Sequence, residues 1–256
     1  MPIVTMPLAH ENNALRERQK QCQLDLVIPA LNEEARIEST LAAICGWSEK
    51  AALDIRVIVV DNGSADATTE RVDYVQASYR RIEVVSCRTR GKGAAVRAGV
   101  LRTTADCVGY CDADLSTPVE AIGQGLELIR QGWDLVLGSR YCKGAQLAVE
   151  QPWLRQVGSW AFRRAVQSYV GSVADTQCGF KLFSGEVARS LFRTVALTGF
   201  AFDVEIVARG LKQGYRVVEM PVTWSDRAGS TFRPVKDGLS SFREVATLRR
   251  TMAVPS

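Results

Sequence analysis

Residues 24–61 read LDLVIPALNEEARIESTLAAICGWSEKAALDIRVIVVD, and this stretch decides the fold. Its first part, residues 24–28, is a short apolar run that stops at Pro29. Residues 55–60 form a second, nearly continuous apolar run, which is typical of a strand buried within a parallel sheet. Between the two runs, apolar residues recur at helical spacing at Ile37, Leu41 and Ile44. The stretch therefore predicts a strand–helix–strand unit.

The same alternation continues along the chain. Three more strands are predicted, at residues 82–85, 107–111 and 135–137. Between them we expect a helix that carries Val72, Val75 and Tyr79 after a cap at Asp66, a helix over 93–103, and a helix opened by a capping box at 117–120. Alternating strands and helices predict the α/β class, with a doubly wound, mostly parallel sheet flanked by helices and joined by right-handed crossovers.

The second half of the chain is less regular, and no domain boundary is indicated before residue 140. Helices are predicted over 152–170, 203–213 and 235–250, and a strand over 215–220. We therefore expect a flexible leader over 1–23, one domain over 24–234, and a C-terminal amphipathic helix and tail over 235–256.

The composition of the chain excludes several classes of function. The 256 residues carry a net charge of +4, which gives no support for a nucleic-acid partner. His10 is the only histidine, which excludes imidazole-based metal sites and catalytic triads from the folded core. Seven scattered cysteines without a CxxC pair predict reduced thiols in a cytoplasmic protein. The leader lacks the apolar region of a signal peptide, and no run reaches the roughly 18 apolar residues of a membrane helix. We expect a cytoplasmic protein, soluble or peripheral at the inner face of the cell membrane.

Polar side chains collect where the predicted strands end. Ligands of doubly wound sheets bind beyond the carboxyl ends of the strands, so these residues form the candidate site. They are Asn32 and Glu33 after the first strand, Asp61, Asn62, Ser64 and Asp66 after the second, Asp112 and Asp114 after the fourth, and Gly138, Ser139 and Arg140 after the fifth. Turns and helix caps are the competing explanation for the first two groups, but the shared position at one sheet edge favours a binding site.

The triplet Asp112-Ala113-Asp114 carries the most specific chemistry. Its two carboxylates converge only if the strand ends there in a turn, which the following Thr117-Pro118 favours. Such a pair suits Mg²⁺ or Mn²⁺, which bind oxygen and keep positions for phosphate and water.

The segment Arg90-Gly91-Lys92-Gly93 lacks the spacing of a Walker motif. Its glycines open a helix, so its backbone N–H groups could face an anion. A flexible turn with a solvated Lys92 is the alternative.

Together these motifs resemble an inverting family-2 glycosyltransferase of the GT-A fold, which is a single nucleotide-diphospho-sugar transferase domain. The dolichyl- and polyprenyl-phosphate sugar synthases are the most similar branch, over about residues 24–250. The residues that carry the resemblance are Val27–Glu33, Val59–Asp66, Gly91–Gly93, Asp112–Leu115, Gly138–Arg140, Asp175–Lys181, Phe202–Glu205, Gly214-Tyr215, Glu219, Pro221-Val222 and Trp224. The chain departs from the family at two places: Asn62 stands where a second Asp is common, and Thr231 where a basic residue follows Gly-Ser.

The resemblance implies donor-site roles for the matching residues. Pro29, Ala30, Glu33 and Asp61 would hold the nucleobase and ribose of a UDP- or GDP-sugar, with Lys92 near the nucleotide. The donor diphosphate and its metal would be held by Asp112 and Asp114. The expected substrate-binding set is completed by Asn32, Asn62, Ser64 and Ala113.

The resemblance also implies an acceptor side. A polyprenyl phosphate is already ionised at pH 7, and the arginines Arg140, Arg227 and Arg233 would steer it. A hydroxyl acceptor, on a soluble sugar or natural product, would need a carboxylate base. Asp203 is the candidate base, with a helix cap as its alternative role. The expected catalytic set is Asp114, Arg140 and Asp203.

Two other classes of protein fit the sequence less well. A sugar-1-phosphate nucleotidyltransferase would need a glycine-rich basic loop directly after the first strand, where this chain has Pro29–Glu33. A catalytically dead binding module would not be expected to keep Asp112, Asp114 and Arg140.

Membrane contact is a separate expectation. The basic helix over 235–250 could lie on a membrane surface, and Trp153 and Trp160 could contact a lipid. Packing of the same apolar stripe on the domain is the alternative.

Overall fold

A computed structural model describes residues 24–147, 153–225 and 234–252. Within them, seven strands form one sheet and two short strands form a second. The strands are β1 (Leu24–Ala30), β2 (Ile55–Asp61), β3 (Ile82–Ser86), β4 (Cys107–Tyr110), β5 (Leu135–Ser139), β6 (Gln146–Leu147), β7 (Lys181–Ser184), β8 (Val217–Pro221) and β9 (Thr223–Trp224). The helices are α1 (Ile37–Lys50), α2 (Thr68–Gln76), α3 (Lys92–Val100), α4 (Ala121–Arg130), α5 (Trp153–Val170), α6 (Gly185–Thr194), α7 (Phe202–Lys212) and α8 (Pro234–Thr251).

The main sheet has the strand order β3-β2-β1-β4-β7-β5-β8. Its strand pairs are parallel except for those of β7, which runs antiparallel to both β4 and β5. The second sheet is the parallel pair β6 and β9. The predicted doubly wound, mostly parallel sheet is therefore confirmed, with one antiparallel strand, between β4 and β5, that the sequence pattern did not predict.

Helices cover both faces of the main sheet. The core on one face includes buried residues of α1, α2 and α4, and the core on the other face includes residues of α3, α5, α6, α7 and α8. Neighbouring residues of β1 point to opposite faces, since Leu26 and Ile28 lie in the first core and Val27 in the second. Burial on both faces explains the continuous apolar runs of the central strands.

Strand β1 does not stop at Pro29 as predicted but continues to Ala30. Its partner β4 ends with Tyr110 opposite Val27, so the last residues of β1 pair only with β2. A proline is tolerated there because the position is open on one side. This offset leaves the ends of β1 and β2 standing beyond β4, next to the candidate site.

Several predicted element ends were wrong by a few residues. The helix after the fourth strand begins at Ala121 rather than at Pro118. The residues predicted as a capping box form tight turns, in which Ala121 N donates to Pro118 O and Ile122 N to Val119 O. The helix after Asp66 ends at Gln76, before Tyr79, and the strand predicted over 107–111 ends at Tyr110.

Two further findings concern the compartment and membrane predictions. The six cysteines among the described residues are free thiols, as predicted. None of the helices in the described ranges is both long and apolar enough to cross a lipid bilayer.

Candidate active site

The loops after β1 and β2 are joined by their own polar side chains. Asn32 N donates to Ser64 Oγ at 3.0 Å, and Ala65 N donates back to Asn32 Oδ1 at 2.8 Å. Asp61 Oδ1 accepts a hydrogen bond from Ser64 N at 3.0 Å. Asn32 has a φ of 56°, a conformation that asparagine tolerates better than most residues. The predicted residues Asn32, Asp61 and Ser64 are thus brought together at one edge of the sheet.

Asn62 shapes the loop that leads to α3. Its Nδ2 donates to the carbonyls of Cys87 at 3.0 Å and Thr89 at 2.7 Å, and its Oδ1 accepts from Gly91 N at 2.8 Å. An ionised aspartate could not donate these two hydrogen bonds. The departure from the family's Asp-Asp pattern therefore has a structural reason, and the side chain predicted to bind substrate is engaged with the chain's own backbone.

The glycine-rich segment before α3 packs closely against the chain that precedes α7. A Cβ on Gly91 would lie 2.1 Å from Thr198 O, and the Gly91 φ of 122° also requires glycine. Gly93 N donates to Gly199 O at 3.3 Å and Ala94 N to Thr198 O at 3.1 Å. For Gly91 and Gly93, the expectation that the backbone N–H groups face an anion was wrong, because Gly91 N donates to Asn62 Oδ1 and Gly93 N to a backbone carbonyl.

Lys92 points its ammonium at the acidic turn. Its Nζ lies 2.6 Å from Asp112 Oδ1. Burial alone would lower the pKa of Lys92, but the negative charges of Asp112 and Asp203 outweigh burial and raise it. Lys92 is therefore a fixed cation within the site and not the solvated side chain of a flexible turn.

The predicted turn at the end of β4 is present. Leu115 N donates to Asp112 O at 3.2 Å, and Asp114 Oδ1 accepts from Ser116 N at 2.9 Å. Ala113 is buried, and its carbonyl accepts a hydrogen bond from Thr40 of α1 at 2.5 Å. These bonds fix the backbone from which the Asp112 and Asp114 carboxylates project.

The carboxylates of the acidic turn also act electrostatically on Glu33. Arg36 Nε lies 2.9 Å from Glu33 Oε2. The pKa of Glu33 is nevertheless raised to about 7, first by burial and then by the charges of Asp114, Asp112 and Asp66. The ends of β1 and β4 thus share one electrostatic environment, which a cation would stabilise.

Glu33→Gln is expected to change how stability depends on pH. The folded-state pKa of about 7 lies above the ordinary 4.5, so the folded protein holds the extra proton between these values. The contribution of Glu33 to the free energy of unfolding should therefore fall as pH rises from 4.5 to 7, and the loss should persist above 7. At pH 8 without metal, the variant should be more stable than the native protein by about 3 kcal/mol.

Urea unfolding at pH 5 and pH 8 measures this difference. The matched control is Glu70→Gln, which changes an exposed glutamate of α2 and should leave the pH dependence as it is. Equal losses of stability with pH in native protein and Glu33→Gln would contradict the prediction.

Arg140, at the end of β5, is held by Asp175. Its Nε and Nη2 donate to the two oxygens of Asp175 at 2.7 Å and 2.9 Å. The guanidinium also lies 5.6 Å from the centre of the Trp224 ring. Burial opposes the charge of Arg140, but Asp175 outweighs burial and raises the arginine pKa. Arg140, which was predicted to face a phosphate, is thus a permanently charged group in a fixed orientation.

Asp203 lies in the core at 2% exposure. Its Oδ1 accepts hydrogen bonds from Lys181 Nζ at 2.6 Å and from the Tyr110 hydroxyl. The residue before α7 is Ala201, so Asp203 is not the helix cap that was the alternative. The carboxylate predicted to act as a base is therefore engaged with a buried ammonium.

Sequence reasoning placed Asp175, Lys181 and Glu219 among the residues that carry the family resemblance but assigned them no role in the site. Lys181 is fully buried, Asp175 holds Arg140, and Glu219 accepts hydrogen bonds from the amides of Ala174 and Asp175. A lysine between Phe180 and Leu182 was the available signal, since a charge inside an apolar strand needs a partner. Arg227 and Arg233 lie outside the described residues.

A structure of glucosyl-3-phosphoglycerate synthase from Mycobacterium tuberculosis shares this architecture. That protein was crystallised with Mn²⁺, UDP and glucosyl-3-phosphoglycerate, and its TM-score to this chain is 0.68 at 20% identity, over 99% of this chain and 88% of that chain. The mostly parallel sheet, with the Asp112–Asp114 turn at its carboxyl edge, therefore has the GT-A fold.

Sequence comparison gives the family. The Glycosyl transferase family 2 pattern matches residues 25–192, and the chain belongs to this family. The dolichyl-phosphate beta-glucosyltransferase of Dictyostelium discoideum is 32% identical over 242 residues, covering 88% of this chain and 73% of the relative. The Homo sapiens protein of the same name is 29% identical over 243 residues, covering 89% and 75%. The resemblance predicted from the motifs is confirmed.

Proposed function

We propose that this glycosyltransferase moves a sugar from a UDP- or GDP-sugar to a polyprenyl phosphate of the dolichyl type. Two relatives named dolichyl-phosphate beta-glucosyltransferase support this acceptor and make glucose the first sugar to test. The fold neighbour crystallised with UDP supports a nucleoside-diphosphate donor. The donor would bind at the edge where β1, β2 and β4 end, with Pro29, Ala30, Glu33 and Asp61 around its base and ribose.

The donor site fits Mg²⁺ or Mn²⁺. Asp112 and Asp114 offer carboxylate oxygens from one turn, and the ammonium of Lys92 at 2.6 Å shows that positive charge is accepted there. No group of three or more His, Cys, Asp or Glu side chains is assembled for a metal among the described residues. A cation held by two carboxylates keeps positions for diphosphate oxygens. When bound, it would neutralise the charge that develops on the leaving diphosphate.

Lys92 and Arg140, whose positive charges are fixed in position, would act on the negative charges of the donor diphosphate and the acceptor phosphate. Lys92 is held protonated beside Asp112, where it would support the departing diphosphate. Arg140 is oriented by Asp175, and we propose that its other N–H donors serve a phosphate oxygen of the acceptor. Arg227 and Arg233 are proposed to add to this acceptor site. Attack opposite the leaving group would invert the anomeric centre.

One observation carries the choice of a phosphate acceptor. The acceptor-side carboxylates are already engaged: Asp175 with Arg140, Asp203 with Lys181, and Glu219 with backbone amides. A hydroxyl nucleophile would need one of them to take its proton, whereas a phosphate is ionised at pH 7 and needs no base. The arrangement therefore favours an acceptor that arrives with its negative charge.

A membrane surface fits this acceptor, and we propose that α5 and α8 contact one. Trp160 is 63% exposed and Leu239 is 56% exposed, although most large apolar side chains among the described residues are buried. The Phe162 and Phe242 rings, 5.3 Å apart, join the two helices. Exposed basic residues, including Arg164 and Arg243, would favour anionic lipid. We propose a cytoplasmic protein that is peripheral at the membrane.

The acceptor is tested by offering two acceptors separately. Purified protein with Mn²⁺ and radiolabelled UDP- and GDP-sugars receives either polyprenyl phosphate in anionic vesicles or a soluble sugar alcohol. We expect a labelled product that partitions into organic solvent, and none when the vesicles lack the phosphate lipid. A water-soluble glycoside as the only product would overturn the proposal in favour of a hydroxyl acceptor.

A further inference from the structure

Lys181 joins two parts of the protein through a single buried ammonium. The residue is 0% exposed, and its Nζ donates to Asp203 Oδ1 at 2.6 Å and to the Cys178 carbonyl at 2.7 Å. Asp203 belongs to α7, whereas Cys178 belongs to the loop before β7. Tyr110, the last residue of β4, donates its hydroxyl to the same Asp203 oxygen. The ammonium therefore connects that loop to α7, which packs on one face of the sheet.

The loop over residues 175–179, which we name the bridging segment, touches both halves of the proposed site. Asp175 holds the Arg140 guanidinium on the acceptor side. At the other end, Gly179 lies so close to the acidic turn that an added Cβ would be 1.9 Å from Asp112 Oδ2. The segment is also closed by Gln177 N and Cys178 N, which donate to Asp175 Oδ1. A shift of the segment would move Arg140 and Asp112 together.

The segment also presents a donor whose partner is missing. Gln177 Nε2 is buried and has no hydrogen-bond partner within the part of the chain that the structure describes. Buried polar groups are nearly always hydrogen-bonded, so an orphaned amide at a binding site points to an oxygen of a ligand. Gln177 is two residues from Gly179, which limits the distance between their Cα atoms to about 7 Å.

We propose that Lys181 is a positioning residue, which holds the bridging segment so that Arg140, Gln177 and Asp112 face one substrate complex. Asp203 is the counter-ion of Lys181 in this assignment and does not touch substrate. The inference deepens the proposed function and rests on it for the identity of the substrate. The alternative is that the pair only fills space in the core. A space-filling pair could be replaced by uncharged residues without effect on the segment, because apolar replacements of buried ion pairs often keep or raise stability.

The test removes both charges together. Lys181→Met alone would leave Asp203 without its ammonium and is expected to lower Tm strongly. Adding Asp203→Asn keeps an acceptor for Tyr110 and removes the unpaired charge, so Tm should return close to the native value. In this double variant, amide hydrogen exchange over residues 175–179 should still be at least about tenfold faster than in native protein. Its kcat for sugar transfer should fall by at least about 100-fold.

The matched control is a second buried pair on α7. Arg209 Nε donates to Glu205 Oε1 at 2.8 Å, and Glu205 bonds the amides of Ala196 and Leu197, away from the bridging segment. Arg209→Met with Glu205→Gln should leave exchange over 175–179 as in native protein. Native exchange rates over 175–179 in the Lys181→Met, Asp203→Asn protein would overturn the inference, whatever its activity. The exchange measurement needs no substrate, so it tests the inference alone. Failure of the proposed function would appear separately, as the absence of lipid product with native protein.

Discussion

Asp114→Ala is expected to lower kcat/KM for sugar transfer by about 1000-fold with little loss of stability. The substitution removes one of the two carboxylates proposed to hold the cation, and preorganised charge at a leaving group is usually the largest catalytic contribution. The folded protein loses the hydrogen bond from Ser116 N to Asp114 Oδ1, worth about 1 kcal/mol. It also loses a negative charge that raises the pKa of Glu33, which offsets part of that cost.

Initial rates at saturating Mn²⁺ and calorimetric Tm values measure both quantities. The matched control is Asp73→Ala on the exposed face of α2, which should keep native rates. Native activity in Asp114→Ala, or in native enzyme stripped of metal with EDTA, would show that no cation acts at this turn.

Gly179→Ala is expected to lower kcat/KM by about 100-fold or more through a single methyl group. The new Cβ would lie 1.9 Å from Asp112 Oδ2 and 2.3 Å from its Cγ, far inside van der Waals contact. Asp112 cannot simply rotate away, because its other oxygen is held 2.6 Å from the Lys92 ammonium. Either the carboxylate leaves its position or the bridging segment shifts, and a misplacement of about 1 Å is enough to cost 100-fold.

The matched control is Gly46→Ala in α1, where an added Cβ meets nothing within 4 Å. Alanine inside a helix should raise stability there by about 0.5–1 kcal/mol and leave the rate unchanged. Equal rates for native protein and Gly179→Ala would mean that the orientation of Asp112 does not matter for transfer.

The proposed donor side of the site was largely predictable from sequence. Parallel strands end at one edge, so any polar residues directly after β1, β2 and β4 had to lie near each other. Asn32, Asp61 and Ser64 do meet there, and Asp112 and Asp114 do lie in one turn. Their individual partners were not predictable, because backbone amides in the same loops compete with a ligand for the same oxygens.

The proposed acceptor side was not predictable in the same way. The antiparallel strand β7 has four residues, begins with a lysine, and enters the sheet between two strands that precede it in the chain. A short strand of that kind has no distinguishing period, and nothing local sets its place in the strand order. Once β7 is in place, Lys181 lies next to Asp203, and the loop that precedes it lies next to Arg140 and Asp112.

The amino-acid sequence by itself determined the α/β class, the family, and the edge at which the site lies. Each of these follows from local patterns. Apolar runs indicate which strands are buried, and residues that directly follow a strand lie at the edge of the sheet where that strand ends. Only the tertiary structure decided that Asn62 binds backbone, that Arg140 is held by Asp175, and that Asp203 neutralises a lysine. Those pairings join residues 22 to 35 positions apart, and the free energy of a buried charge depends on which partner the fold brings to it.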